Sequence, residues 1–223
     1  MYLGLARDQV QADRHRFSRR LLADVRERRQ DTWGWVVYRT TYKSDAAFSR
    51  AIDVLNSWIK AEVYQDADPR SSGVQNPDPT PNNELWACHR LTIMDDPATL
   101  DGASIEDVRS HFESWVEGQG QRDRWNKYRV CMVLDDEILS LLAQVPTAEE
   151  HAERHGRCGE EINKWYVKVV EAFPDPDEGE EVEGWQGWMY CSVFTLVRLW
   201  DTMGDGVFMV HFFCDNEEGV FSL

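Results

Sequence analysis

The sequence predicts an α+β protein: a two-layer sandwich built on split βαβ, ferredoxin-like units, with an added N-terminal helix. Three observations carry this reading. Runs rich in β-branched and aromatic residues alternate with stretches of helical periodicity, in the order α-βα-βα-βα-α-β-βα-β. Two units echo one another: "VYRTTYKSDAAF" and "CHRLTIMDDPATLDGASIEDV" each run strand, basic residue, turn and Ser-capped helix. Several strands alternate apolar and polar residues, so one sheet face is expected to be covered and the other more accessible. A doubly wound parallel sheet is the alternative architecture.

Residues 7 to 30 read as a basic helix, with Val10, Phe17, Leu21 and Val25 as a thin apolar stripe among arginines. The remainder, 31 to 223, is expected to be one α+β domain. "WGWVVYRTTY" (33 to 42) is the first strand. Ser44 opens a helix to about Glu62, because Phe48, Ile52, Leu55 and Ile59 recur at i, i+4, i+7 and i+11 and share one face. Residues 66 to 83 hold four prolines and predict an exposed loop. "ELWACHRLTIM" (84 to 94) is the second strand. Asp95 and Asp96 close it, Asp101-Gly102 makes a turn, and Ser104 opens the next helix with Asp107 in capping-box position. Ile105, Val108, Phe112 and Trp115 form that helix's inner side. "YRVCMVLDD" (128 to 136) is the third strand, followed by the short helix "EILSLLAQV" and a helix over 147 to 157. "INKWYVKVVEAF" (162 to 173) and "GWMYCSV" (187 to 193) are the fourth and fifth strands, separated by an acidic loop at 175 to 184. "FTLVRLWDTMG" is a helix, and "VFMVHFFC" (207 to 214) the sixth strand.

The formal net charge is -16. The first 30 residues carry +4, which leaves -20 for the rest. Such a surface repels nucleic-acid phosphates and anionic lipid, so neither is expected as a partner. No run approaches the ~18 apolar residues of a membrane span. The opening residues lack the apolar core of a secretory signal, and the five cysteines are odd in number and sit mostly in apolar runs. A cytoplasmic protein with free thiols is expected.

"WGWVVYRTTYKSDAAF", "TLDGASIEDVRSHFESWV" and "YRVCMVLDDE" together resemble a set of uncharacterised intracellular proteins of filamentous fungi. The resemblance spans roughly residues 33 to 140. It implies a family and no reaction, so it supplies no catalytic residues. The basic N-terminal helix and "HAERHGRC" depart from that pattern.

Basic residues lie within otherwise apolar runs at Arg39, His89, Arg90, Lys168 and His211. A buried charge needs a carboxylate partner or a ligand. The first expectation is a binding module for a small polar or anionic ligand or a protein partner. Arg39 and Arg90 would contact the anion, with Tyr38 and Trp86 as walls of an aromatic pocket that Trp33 and Trp35 help to line. The alternative is a small cofactor-independent enzyme, with His89 as general base and Asp95 as its orienting partner or acid. A convex acidic surface that engages basic proteins is the third reading. On a helix, His151, His155 and Cys158 would share one face and suit Zn²⁺; no other cofactor is expected. The motifs of familiar nucleotide-binding, hydrolase and zincin enzymes are missing.

Overall fold

A computed structural model describes residues 12–13, 16–122, 126–155, 163–174, 182–203, 207–213 and 219–222. The chain is mixed α/β. It divides into two compact units, one of Met1–Trp33 with Ile59–Arg90 and one of Gly34–Trp58 with Leu91–Leu223. Helix α2 (Asp45–Tyr64) runs through the boundary and contributes residues to each.

The first unit is helical among the described residues. Helix α1 (Phe17–Glu27) buries Leu21, Leu22 and Val25. Ile59 and Val63 of α2, Leu85 of α4 (Thr80–Cys88), Trp33 and Val74 add further buried apolar side chains to this core. The arginine at the N-cap of α1 is tied down as well. Arg16 is buried and donates to Asp66 Oδ1 at 3.2 Å, to Asn82 Oδ1 at 2.6 Å and to the Asp78 carbonyl at 2.7 Å. Asp66 also accepts from the Ser18 N–H at 2.8 Å. Both terminal nitrogens of the Arg16 guanidinium thereby gain acceptors, which offsets much of the cost of burying its charge, while its Nε is buried without a partner among the described residues.

The segment expected to be a Pro-rich loop is a correction. It holds a 3₁₀ turn (Gln65–Ala67), the short helix α3 (Pro69–Ser72) and the start of α4. Pro69 occupies the first turn of α3, with the Asp68 carboxylate capping the Arg70 N–H at 2.8 Å, and Pro81 lies in the first turn of α4. Proline fits there because first-turn N–H groups have no helical acceptor. The prolines start helices here instead of preventing them. The expected strand at 84 to 94 changes with them: residues up to Cys88 are helical, and only Thr92–Met94 forms a strand.

Among the described residues, the second unit carries one sheet of six strands: β1 (Val36–Arg39), β2 (Thr92–Met94), β3 (Val130–Leu134), β4 (Tyr166–Glu171), β5 (Trp188–Ser192) and β6 (Val220–Phe221). Their order across the sheet is β2-β1-β3-β4-β5-β6. β2, β1 and β3 are mutually parallel, with Val36 opposite both Thr92 and Cys131. β3, β4 and β5 are antiparallel neighbours, and β6 returns parallel to β5. Parallel pairs need long crossovers. α2 lies in the connection from β1 to β2. Helices α5 (Pro97–Leu100) and α6 (Ile105–Gly118) lie in that from β2 to β3, which flank β1. Val108, Phe112 and Val116 are the buried stripe of α6. Helices α7 (Asp136–Leu142), α8 (Ala148–His155) and α9 (Leu196–Thr202) are the other helices of this unit among the described residues.

Two expectations about the sheet change. Every residue of β1 and β3 is buried, so the centre is covered on both faces instead of one. Residues 207 to 213 do not supply the sixth strand, and residue 214 of the expected strand lies outside the described residues. Met209–Phe212 form a 3₁₀ turn whose Met209 N–H donates to the buried Glu171 carboxylate at 3.0 Å, and the strand is Val220–Phe221. The aromatic, β-branched run signals burial there, which a turn satisfies as well as a strand does.

Candidate functional site

Helix α4 ends at Cys88, and His89 follows in extended geometry as its C-cap. Trp86 and His89 are three positions apart on this helical turn, so their rings meet: centroids lie 4.9 Å apart with planes 11° from parallel. Trp33 closes the other side, edge-on to the imidazole at 4.9 Å. Three hydrogen bonds fix Trp33 against the end of α4. Its N–H donates to the Cys88 carbonyl at 3.2 Å, its carbonyl accepts from the Arg90 N–H at 2.8 Å, and its indole Nε1 donates to the Leu85 carbonyl at 2.7 Å.

His89 is 4% exposed. Burial, and secondarily the Arg90 charge beside it, push the imidazole down from 6.5 to about 4. The ring is neutral at neutral pH. Its Nε2 is buried and has no hydrogen-bond partner among the described residues. Two cations border the stack. Lys60 Nζ lies 5.8 Å from the Trp86 ring centroid, and the exposed Arg90 donates from Nη1 to the His89 carbonyl. Neither cation is paired with a carboxylate among the described residues. Trp86 itself is half-buried. Trp33, Lys60, Trp86, His89 and Arg90 all belong to the first unit.

The other expected site residues belong to the second unit. Arg39, the last residue of β1, is 5% exposed and fully engaged. It donates to Asp45 Oδ1 at 2.6 Å and to the Thr41 carbonyl at 3.0 Å, and its Nη1 lies 3.7 Å from Asp95 Oδ2. Its guanidinium sits over the Tyr42 and Phe48 rings at 4.4 and 4.6 Å. Burial and the Asp95 charge push the Tyr42 hydroxyl up to about 12. Tyr38 is inaccessible, and its hydroxyl lies 2.9 Å from His111 Nδ1; burial raises it far above the ordinary phenol value. Asp95 faces Arg39. Trp35 is fully buried, and its Nε1 has no partner among the described residues.

The acidic corner around these residues is structural. Asp96 caps α5 by accepting from the Ala98 N–H at 3.1 Å. Ser104 and Asp107 make the reciprocal capping box of α6 at 3.1 Å in each direction. Asp135 caps α7 at the Ile138 N–H, 3.0 Å away, and also pairs with Lys168. Lys168 reaches Glu137 as well, at 2.6 Å. This answers the charge buried in β4 with two acids.

Of the expected zinc ligands, Cys158 lies outside the described residues, as does the side chain of His155. His151 is buried between Trp58 and Trp165, with ring centroids at 5.5 and 5.7 Å. Among the described residues, no group of three His, Cys, Asp or Glu side chains has a metal-holding arrangement.

The structure therefore joins four of the singled-out residues, Trp33, Trp86, His89 and Arg90, and adds Lys60. No spacing in the sequence marks Lys60, since it precedes Trp86 by 26 positions on another helix. No family model, curated protein or solved structure matches the chain.

Proposed function

We propose that the protein is a binding module for a small polar or anionic ligand, recognised where Lys60 and Arg90 border the Trp86–His89 stack. The carrying observation is the buried, unpartnered Nε2 of His89. Native proteins pair nearly all buried polar atoms, so an orphan beside an accessible surface marks a place where a ligand has something to offer. The two cations support the same reading. In a chain of net charge -16, carboxylates are plentiful, yet Lys60 and Arg90 have none as partners among the described residues. A half-buried indole supplies the apolar wall.

The geometry favours binding over acid–base chemistry. A general base works best with a pKa near the working pH, and this imidazole is held at about 4. Asp95, its supposed partner, faces Arg39. Membership of the fungal family, a cytoplasmic location and a split βαβ, ferredoxin-like core belong to the same proposal. The crossover from β2 to β3 past β1 supports the last of these.

A thermal-shift titration tests the function. Sulfate and succinate are expected to raise the melting temperature of the wild type, since a ligand selective for the folded state stabilises it. Lys60→Glu with Arg90→Glu, both at exposed positions, is expected to remove the shift. Equal shifts in wild type and double variant would defeat the assignment.

A further inference from the structure

Resting on that reading of the same corner, we propose that the ligand is an oxyanion, a carboxylate or a tetrahedral phosphate or sulfate group. It is held by Lys60 and Arg90 beside Trp86, and its capture draws a proton onto His89.

The geometry ties the two events. Arg90 is the next residue after His89 and donates to its carbonyl, so the guanidinium charge acts directly on the imidazole. An oxyanion bound to Arg90 cancels that charge and so favours the protonated ring. The orphan nitrogen acts in the same direction. Nε2 has no partner among the described residues, and a protonated imidazole donates from both nitrogens. An oxyanion oxygen supplies the missing acceptor. Nε2 is closed to solvent, so direct contact requires the half-buried Trp86 ring to lift from the imidazole.

The remaining charges on the packed elements do not supply this proton linkage. Lys60 on α2 is positive and lies 5.8 Å from the Trp86 ring centroid, so it offers no negative charge to draw a proton onto the ring. Arg26 of α1 and Glu84 of α4 pair with each other, so their charges largely cancel. Trp33 and Trp86 are uncharged. Without an anion the corner holds His89 neutral, and with one it holds the imidazolium.

Calorimetric titration of the full chain with sodium sulfate tests this from pH 5 to 8, a range in which sulfate keeps its double charge. Affinity is expected to rise about tenfold from pH 8 to pH 5 where the bound imidazole titrates at roughly 6 and the free one at about 4, since binding strengthens tenfold per pH unit only where the bound ring is protonated and the free ring is not. The rise is expected to vanish in His89→Gln, which retains the general electrostatics of the surface. Proton uptake is also read on the wild type alone, from titrations at pH 5.5 in buffers of different ionisation enthalpy, so the test survives a poorly folded variant. A parallel series with sodium formate separates the sources: sulfate alone assigns a tetrahedral anion, formate alone a carboxylate, and both support the shared chemistry. A pH slope unchanged by His89→Gln, or no proton taken up, overturns the coupling. In that case, binding weakened by Lys60→Gln and Arg90→Gln still upholds the corner. No binding of either anion at any pH overturns both.

Discussion

His89 is a neutral imidazole held between two indoles, and this has a measurable consequence apart from any ligand. Its folded value is about 4, against 6.5 for an unperturbed ring. As pH falls through 6.5 the unfolded chain takes up a proton that the folded chain refuses until about pH 4. Stability therefore drops across that window, by roughly 3 kcal/mol in full. Urea unfolding at pH 7 and pH 4.5 checks it. The wild type is expected to lose about 2 kcal/mol more than His89→Gln over this interval. Equal losses would mean that the ring is not held neutral. The same residue shows why the site was only partly legible. Read as a strand, 84 to 94 puts Trp86 and His89 on opposite faces. Read as the end of a helix, the i, i+3 spacing stacks them. Four prolines upstream misdirected that choice, because proline in a first helical turn and proline in a loop look alike in a sequence.

At the scale of elements, signals that depend on periodicity or local capping carried through. The apolar stripe of α2, Val108 and Phe112 of α6 (where Val116 is buried in place of Ile105 and Trp115), the capping box at Ser104 and the β-branched runs of β3, β4 and β5 are each a short-range pattern with a short-range cause. Ser104→Ala is expected to cost about 1 kcal/mol, the usual value of an N-cap, and circular dichroism during thermal melting measures it. A loss near zero would mean that water replaces the cap without penalty. Pairings across long separations did not carry through. Nothing near Arg39 announces that Asp45 and Asp95 neutralise it, and nothing in the turn at 209 to 212 announces its bond to Glu171. The buried strands misled in another way. Alternation of apolar and polar residues in several strands predicts one accessible face, whereas every residue of β1 and β3 is buried.

For the molecule as a whole, charge is the dominant long-range term. A net -16 spread over 223 residues repels itself, and salt shortens the reach of that repulsion from about 30 Å at 0.01 M to about 10 Å at 0.1 M. The melting temperature is therefore expected to rise with sodium chloride across this range, by roughly 2–4 °C for each kcal/mol of repulsion relieved. A fall would show that surface pairs such as Lys43–Asp136 outweigh the net field. The sheet order has a different consequence, one of timing. Val36 lies between partners that arrive late: Thr92 on one side and Cys131 on the other. At about 5–20 residues per second, a ribosome would leave the first strand waiting roughly 5–20 s for its second neighbour. During that interval a greasy, hydrogen-bond-hungry ribbon is open to other nascent chains. Chaperone capture of translation intermediates ending before residue 130, and release of those ending well past 134, is the signature that this delay would leave in a cell.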